Sequence, residues 1–205
     1  MPRPKVGLLS VDLIADAAIE LVDSGERFGV NALARRLGVT PSSLYNHVDG
    51  LDGIIELMRS RLGERYFPDR VEGDWEQVVR VIVGNLRSLY ADHPLIVPLL
   101  VGKTITAPVV IESYDLLATA LAEAGFPDDE VLAIVAIVDA FAIGFGFDVA
   151  SPDEIWRPET PTRTLGRLVA DAQRGRERSD RAFDIGLEML LDSLRRQLVA
   201  GRARG

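Results

Sequence analysis

Apolar residues recur at three- and four-residue spacings along almost the whole 205-residue chain, and the two-residue alternation of a half-buried strand is hard to find. That period lays side chains along one stripe of a helix, so the sequence specifies an all-α protein. With 47% of its residues apolar, the chain can bury a core without covalent staples. Cysteine is absent, which excludes a disulfide framework, a thiolate metal site and a cysteine nucleophile. Nothing at the start reads as a charged segment followed by an apolar signal core, so a cytoplasmic protein is expected.

Residues 11–24 place Leu13, Ile14, Ala17, Ala18, Leu21 and Val22 on one stripe, with Ser10 as N-cap and Gly25 just past the end. Short helices are expected at 31–37 and 41–48, then a longer one from Asp52 toward Tyr66, ending before Pro68. Between the two short helices the chain reads "LARRLGVTPSSLYNHV". Gly38 lets the backbone turn at positive φ, Thr40 can cap the next helix, and Pro41 takes its first position, where a missing N–H costs nothing. Leu33, Ala34 and Leu37 face inward, as do Leu44 and Val48, four apart on the second helix. A pair of short helices joined through glycine is the helix-turn-helix arrangement, whose second helix can lie in a DNA major groove. Its outward and leading face carries Pro41, Ser42, Ser43, Tyr45, Asn46 and His47; Asn31 and Thr40 flank them, and Arg3 and Lys5 form a basic arm ahead. Asparagine can bond adenine bidentately, serine either base type, and tyrosine and histidine can reach phosphates.

This stretch, with "LIADAAIELVDSG" before it and "GLDGIIELM" after it, resembles the TetR family of bacterial transcriptional repressors over residues 10–62. The terminal "FDIGLEMLLDSLRRQL" is similar to the last helix of a tetracycline-repressor-like ligand domain. The resemblance implies a helix-turn-helix domain over 1–50, a bridging helix at about 51–66, and a ligand-binding and dimerisation domain over 67–205. Members often hold a phosphate with a lysine at the start of the fourth helix, whereas this chain reads "VDGLDG", with Asp49, Leu51 and Asp52 there.

The formal net charge of −8 argues against nucleic acid when taken over the whole chain. Residues 1–62, however, hold seven Arg or Lys against eight Asp or Glu, a balance of −1, so most of the negative charge lies beyond the helix-turn-helix. Binding to DNA would then rest on a few local charges and on backbone N–H groups, with a shallow salt dependence.

Residues 131–150, "VLAIVAIVDAFAIGFGFDVA", approach membrane-span length, but Asp139 would sit near mid-span without flanking cations, so a buried helix and no membrane are expected. Its Ala136, Ala140 and Ile143, together with Phe183, Leu187, Leu190, Leu191, Leu194 and Leu198 of the final helix, are the expected four-helix interface of a homodimer, as the family resemblance also implies. A dimer supplies the two reading helices an inverted-repeat operator requires. Gly144 and Gly146 cost helix stability, which close helix contact or ligand access to the backbone would explain.

Tetracycline-binding members coordinate the drug's magnesium through a histidine after the fifth helix. The resemblance places Leu100 there, with Glu64 and Ile82 at earlier matching positions and Asp148 as a retained acid. A tetracycline–magnesium ligand is therefore not expected. The pocket expected from Ile82, Leu86, Tyr90, Leu99, Leu100, Ile105, Tyr114, Leu117 and Asp148 suits a small apolar effector. His47 and His93 stand on different elements and make no metal signature, and His93 is expected to meet the last carbonyls of a helix. "RGRERSDR" reads as a solvated loop. No set of nucleophile, base and orienting group, no phosphate loop and no cofactor motif is found, so the expectation is a ligand-responsive repressor; the alternative is a helical binding protein or enzyme that has lost DNA binding.

Overall fold

A computed structural model of the chain describes residues 9–160 and 162–202. All regular structure among them is helical: α1 (Val11–Asp23), α2 (Val30–Leu37), α3 (Pro41–Tyr45), α4 (Gly50–Tyr66), α5 (Trp75–Asp92), α6 (Val97–Leu100), α7 (Pro108–Ala124), α8 (Asp128–Val149), α9 (Leu165–Ala170) and α10 (Gly175–Arg202). They form two compact units. The first comprises residues up to Asp69 together with His93–Asp115, and the second Arg70–Asp92 together with Leu116 onward.

In the first unit, the Ser10 hydroxyl accepts the Leu13 N–H at 3.2 Å and starts α1. The helix buries Ile14, Ala15, Ala17, Ala18, Ile19, Leu21 and Val22, but Leu13, at the first turn and on the edge of that face, is 45% exposed rather than part of the inward stripe. α4 packs on α1, fixed by Asp16, which accepts from Arg61 Nε at 2.9 Å and Nη2 at 3.1 Å and also from Arg65. The Arg61 guanidinium, aided by Arg65, holds the Asp16 carboxyl below its usual range, against the upward push of burial.

Residues 93–115 are pinned to α4 by polar contacts that sequence spacing does not show. Arg59, buried, donates to Glu56 at 2.9 Å and to the Leu100 carbonyl at 3.0 Å. Glu56 accepts the Thr106 N–H at 3.0 Å, its hydroxyl at 2.9 Å and the Ala107 N–H at 3.1 Å, taking up donors just ahead of α7. Burial pushes the Glu56 carboxyl up, yet these donors and Arg59 outweigh it and hold the group below its ordinary range. Gly63 permits the close approach of α7, since a Cβ there would strike the Val109 and Val110 methyls at 2.7 and 2.9 Å. His93 does not meet helix-end carbonyls as expected: its Nδ1 lies 2.7 Å from Asp23 Oδ2, and its ring stands edge-on to Tyr66. The acid at the end of α1 is a stronger partner than a neutral carbonyl.

In the second unit α8 packs chiefly on α5 and, to a lesser extent, on α10. α8 is long and apolar enough to cross a membrane by length and composition, but it is not buried on all sides as its composition suggested. Val131, Ile134, Val138, Ala142 and Gly146 form one inward face, while Leu132 is 76% exposed and Ile137 53%. The two glycines have different surroundings. A Cβ on Gly146 would collide with Tyr90 Cβ and crowd the Arg87 carbonyl, whereas one on Gly144 would meet nothing. α10 starts at Gly175 and absorbs most of "RGRERSDR", which had the composition of a solvated loop, into its first turns. The cause is long-range pairing: Arg178 reaches Asp148 at 2.9 Å, Arg87 reaches Asp180 at 2.7 Å, and Ser179 is fully buried between them in sequence.

Candidate functional site

The corner between α2 and α3 is built from local backbone chemistry. Gly38 adopts φ 67° and ψ 27°, and its N–H returns toward the α2 carbonyls of Ala34 and Arg35. A residue with a Cβ would be strained there. Thr40 is extended and its Oγ1 accepts the Ser43 N–H at 3.2 Å, with Pro41 at the first helical position. α3 is shorter than the expected 41–48 helix and ends at Tyr45, but Asn46 keeps a helical conformation and the Val48 N–H still reaches the Leu44 carbonyl at 3.1 Å. Leu44 and Val48 are therefore buried, and Leu33 and Ala34 of α2 are buried with them.

That anchoring turns Pro41, Ser42, Tyr45, Asn46 and His47 to the outside, with Tyr45 56% exposed, and Asn31 is exposed on the first turn of α2. Thr40 and Ser43 sit among them, but their hydroxyls lie 2.9 Å apart and complete the cap, so they build the reading helix. Arg3 and Lys5 lie outside the described residues. A surface groove of about 480 Å³, lined by Arg27, Phe28, Gly29, Asn31, Arg35 and Tyr45, runs beside this face. Sequence reasoning singled out neither Arg27 nor Arg35, because nothing in local spacing says which arginines remain free of internal partners. The start of α4 carries no cation of its own, and Asp52 there is paired with Lys103 at 2.6 Å.

The residues expected to line an effector pocket do not fall in one unit. Ile82, Leu86, Tyr90 and Leu117 belong to the core of the second unit. Leu100, buried, and Leu99, Ile105 and Tyr114, half-buried, belong to the first. Asp148 is committed to Arg178, while its Oδ2, Arg178 Nε and Arg87 Nε are buried without a hydrogen-bond partner. Arg87 also lies over the Phe183 ring at 4.4 Å, beside Phe141 and Phe145. The second unit thus holds more polar capacity than the apolar pocket expected from the sequence.

Of the nine residues expected at a dimer interface, Phe183, Leu187, Leu191, Leu194 and Leu198 are buried in the chain's own core. They are taken by packing within the unit and leave the opposite side of α10 open, with Ile185 51%, Met189 67% and Val199 69% exposed. Leu190 and Ile143 are half-buried, and Ala136 and Ala140 are exposed on α8.

The tetracyclin repressor-like, C-terminal domain family matches residues 67–198. An HTH-type transcriptional regulator of Saccharopolyspora erythraea is 31% identical over 173 residues, covering 83% of this chain and 71% of the relative. The HTH-type transcriptional repressor DrrR1 of Streptomyces coeruleorubidus is 23% identical over 226 residues, covering all of this chain and 82% of the relative. The crystal structure of the Streptomyces coelicolor TetR family protein ActR in complex with actinorhodin superposes with a TM-score of 0.73 at 20% identity, covering 92% of this chain and 96% of ActR. The capped glycine corner, the buried anchors of its second helix and the match over the helical C-terminal domain have one explanation: this chain belongs to the TetR family of DNA-binding transcriptional regulators.

Proposed function

We propose that the chain is a repressor that binds an inverted-repeat operator as a homodimer and releases it when a small, largely apolar effector occupies the C-terminal domain. The observation that carries the reading is the α2–α3 corner: Leu44 and Val48 are buried while Tyr45, Asn46 and His47 project outward. Asn46 reads adenine, Ser42 a neighbouring base edge, and Pro41 the thymine methyl, while Tyr45 and His47 hold phosphates. Repression is supported by the name of DrrR1, and an effector by the actinorhodin bound to ActR. Dimerisation is supported by the open apolar sides of the two helices: Leu132 and Ile137 are exposed on α8 together with the small Ala136, Ala140 and Gly144, and Ile185, Met189 and Val199 are exposed on α10.

Effector response needs a two-state element biased by both sites. Arg59 and Glu56 of α4 supply a connection, because they tie the α6 carbonyl of Leu100 and the segment before α7 to the helix that follows the reading helix. A ligand that shifts α6 or the start of α7 therefore displaces α4, and with it the spacing of the two reading helices.

Selection of operators from random duplexes tests the reading. Recovery of an inverted repeat bound by a dimer, with binding relieved by lipophilic compounds extracted with the purified protein, is the expected result. Failure to recover any sequence at low salt would point to a binding protein that does not read DNA. Recovery of an operator that no extracted compound releases would remove the apolar effector and leave the DNA-binding function in place.

A further inference from the structure

The described cations of the first unit are unevenly committed. Arg36 is held by Glu20 and Glu26, Arg59 by Glu56, Arg61 by Asp16 and Glu64, Arg65 by Asp16, and Lys103 by Asp52. Arg27 and Arg35 make no ion pair among the described residues, and both are exposed. These two line the same groove, with Asn31 and the exposed Tyr45 beside them. The groove ends on the start of α2, where Gly29 provides no side-chain cap, so the partial positive charge of the helix end adds to that of the guanidinium groups. Phe28 and Gly29 also line it, and Gly29 has nothing within 4 Å of where a Cβ would stand.

We infer that this groove is a phosphodiester-binding site, in which Arg27 and Arg35 grip the DNA backbone beside the bases read by α3. The inference rests on the DNA-binding reading above and adds to it where the grip lies. A guanidinium presents paired N–H donors that match two phosphate oxygens, and Tyr45 and Asn31, which line the same groove, add neutral donors. The acidic residues that could cancel this charge are engaged elsewhere, since Glu20 and Glu26 both hold Arg36. The acidic overall balance and a functional DNA grip are then compatible, because the other arginines and the lysine described in the unit are neutralised internally, while the two that face the groove are not.

The test uses the full-length protein on its selected operator, with the affinity of wild type, Arg27→Gln/Arg35→Gln and Arg61→Gln followed against salt. Each lost phosphate contact lowers the logarithmic slope by about 0.9, so the double variant in a dimer should flatten it by roughly 3 to 4 and bind on the order of a thousand-fold more weakly near physiological salt. Base preference should remain as in wild type, and Arg61→Gln, whose partner Asp16 keeps Arg65, should leave the slope unchanged. Arg27→Lys/Arg35→Lys keeps the charge and should restore most of the slope, which separates lost grip from lost folding. An operator bound by wild type with the same slope and affinity in the Gln variant would overturn the site while leaving the DNA-binding reading intact. Failure of wild type to bind any duplex would overturn both. Calorimetric binding of inorganic phosphate that the Gln variant loses, with duplex affinity unchanged, would assign the groove to a free anion and refute the backbone grip.

Discussion

Replacing Gly146 and Gly144 by alanine in turn should move stability in opposite directions, although the two positions lie two residues apart on α8. Alanine is favoured over glycine in a helix interior by about 1 kcal/mol, and both variants gain that amount. At Gly146 the new methyl group would overlap Tyr90 Cβ and press on the Arg87 carbonyl. Neither atom is the far end of a flexible side chain, so relief requires α5 and α8 to separate, and overpacking of this kind costs typically 1–3 kcal/mol. The net expectation for Gly146→Ala is a loss of up to about 2 kcal/mol, set by that cost less the propensity gain. At Gly144 nothing stands within 4 Å, so Gly144→Ala should keep its full gain of about 1 kcal/mol within the chain. Urea unfolding at equal protomer concentration, followed by circular dichroism, measures both, with any mass-action contribution of self-association compared at one concentration. Gly146→Ala more stable than wild type would refute the close approach of α5 and α8 on which the reasoning depends. Gly144→Ala weakening self-association while stabilising the protomer would place the partner subunit against that side of α8.

In binding assays on a selected operator, Asn46→Ala should relax base preference at one position of each half-site, worth about 1–3 kcal/mol, whereas Tyr45→Phe should weaken binding evenly across sequences. Leu44→Ala, which removes a fully buried anchor, should destabilise the first unit by about 2–5 kcal/mol in a thermal melt and abolish operator binding as α3 loses its seat. Asp16 has its pKa lowered by Arg61 and Arg65, so the stability from this pair is complete above the unfolded carboxyl value and lost as pH falls through the lower folded value. Acid unfolding should show that loss in wild type, and Asp16→Asn, about 1 kcal/mol less stable at neutral pH, should show a correspondingly smaller change. Glu56→Gln removes the charged acceptor of Thr106 and Ala107 and should leave operator affinity near wild type while reducing release by effector, measured as the shift in operator affinity at saturating ligand.

The features legible in the sequence are those whose causes are local. Gly38, Thr40 and Pro41 specify a turn through φ, a hydroxyl acceptor and a missing N–H, and all three act within four residues of where they stand. The inward positions of Leu33, Ala34, Leu44 and Val48 follow from helical spacing once the corner is placed. Ser10 caps α1 for the same kind of reason. Composition misled where it was asked which side of an apolar helix is covered. α8 is apolar around its circumference, so its sequence cannot distinguish the side packed on α5 and α10 from the side left open, and the leucines of α10 satisfy an internal core as readily as an external one.

Charge was the least legible property, because its meaning depends on partners distant in the chain. "RGRERSDR" has the composition of a solvated loop, yet its Arg178 and Asp180 find Asp148 and Arg87, thirty and ninety-three residues away, and the stretch is drawn into α10. Arg61 pairs with Asp16 forty-five residues off, and Lys103 with Asp52 fifty-one residues off. A net charge near zero over the first sixty-two residues therefore describes two different molecules equally well. In one, every cation is neutralised and DNA is held only by backbone dipoles and hydroxyls. In the other, the pairing is selective, and the cations left over are those beside the reading helix. Among the described residues the ion pairs are distributed in the second way, so under the proposed grip the spare arginines, and not the sum of charges, set the affinity for a polyanion.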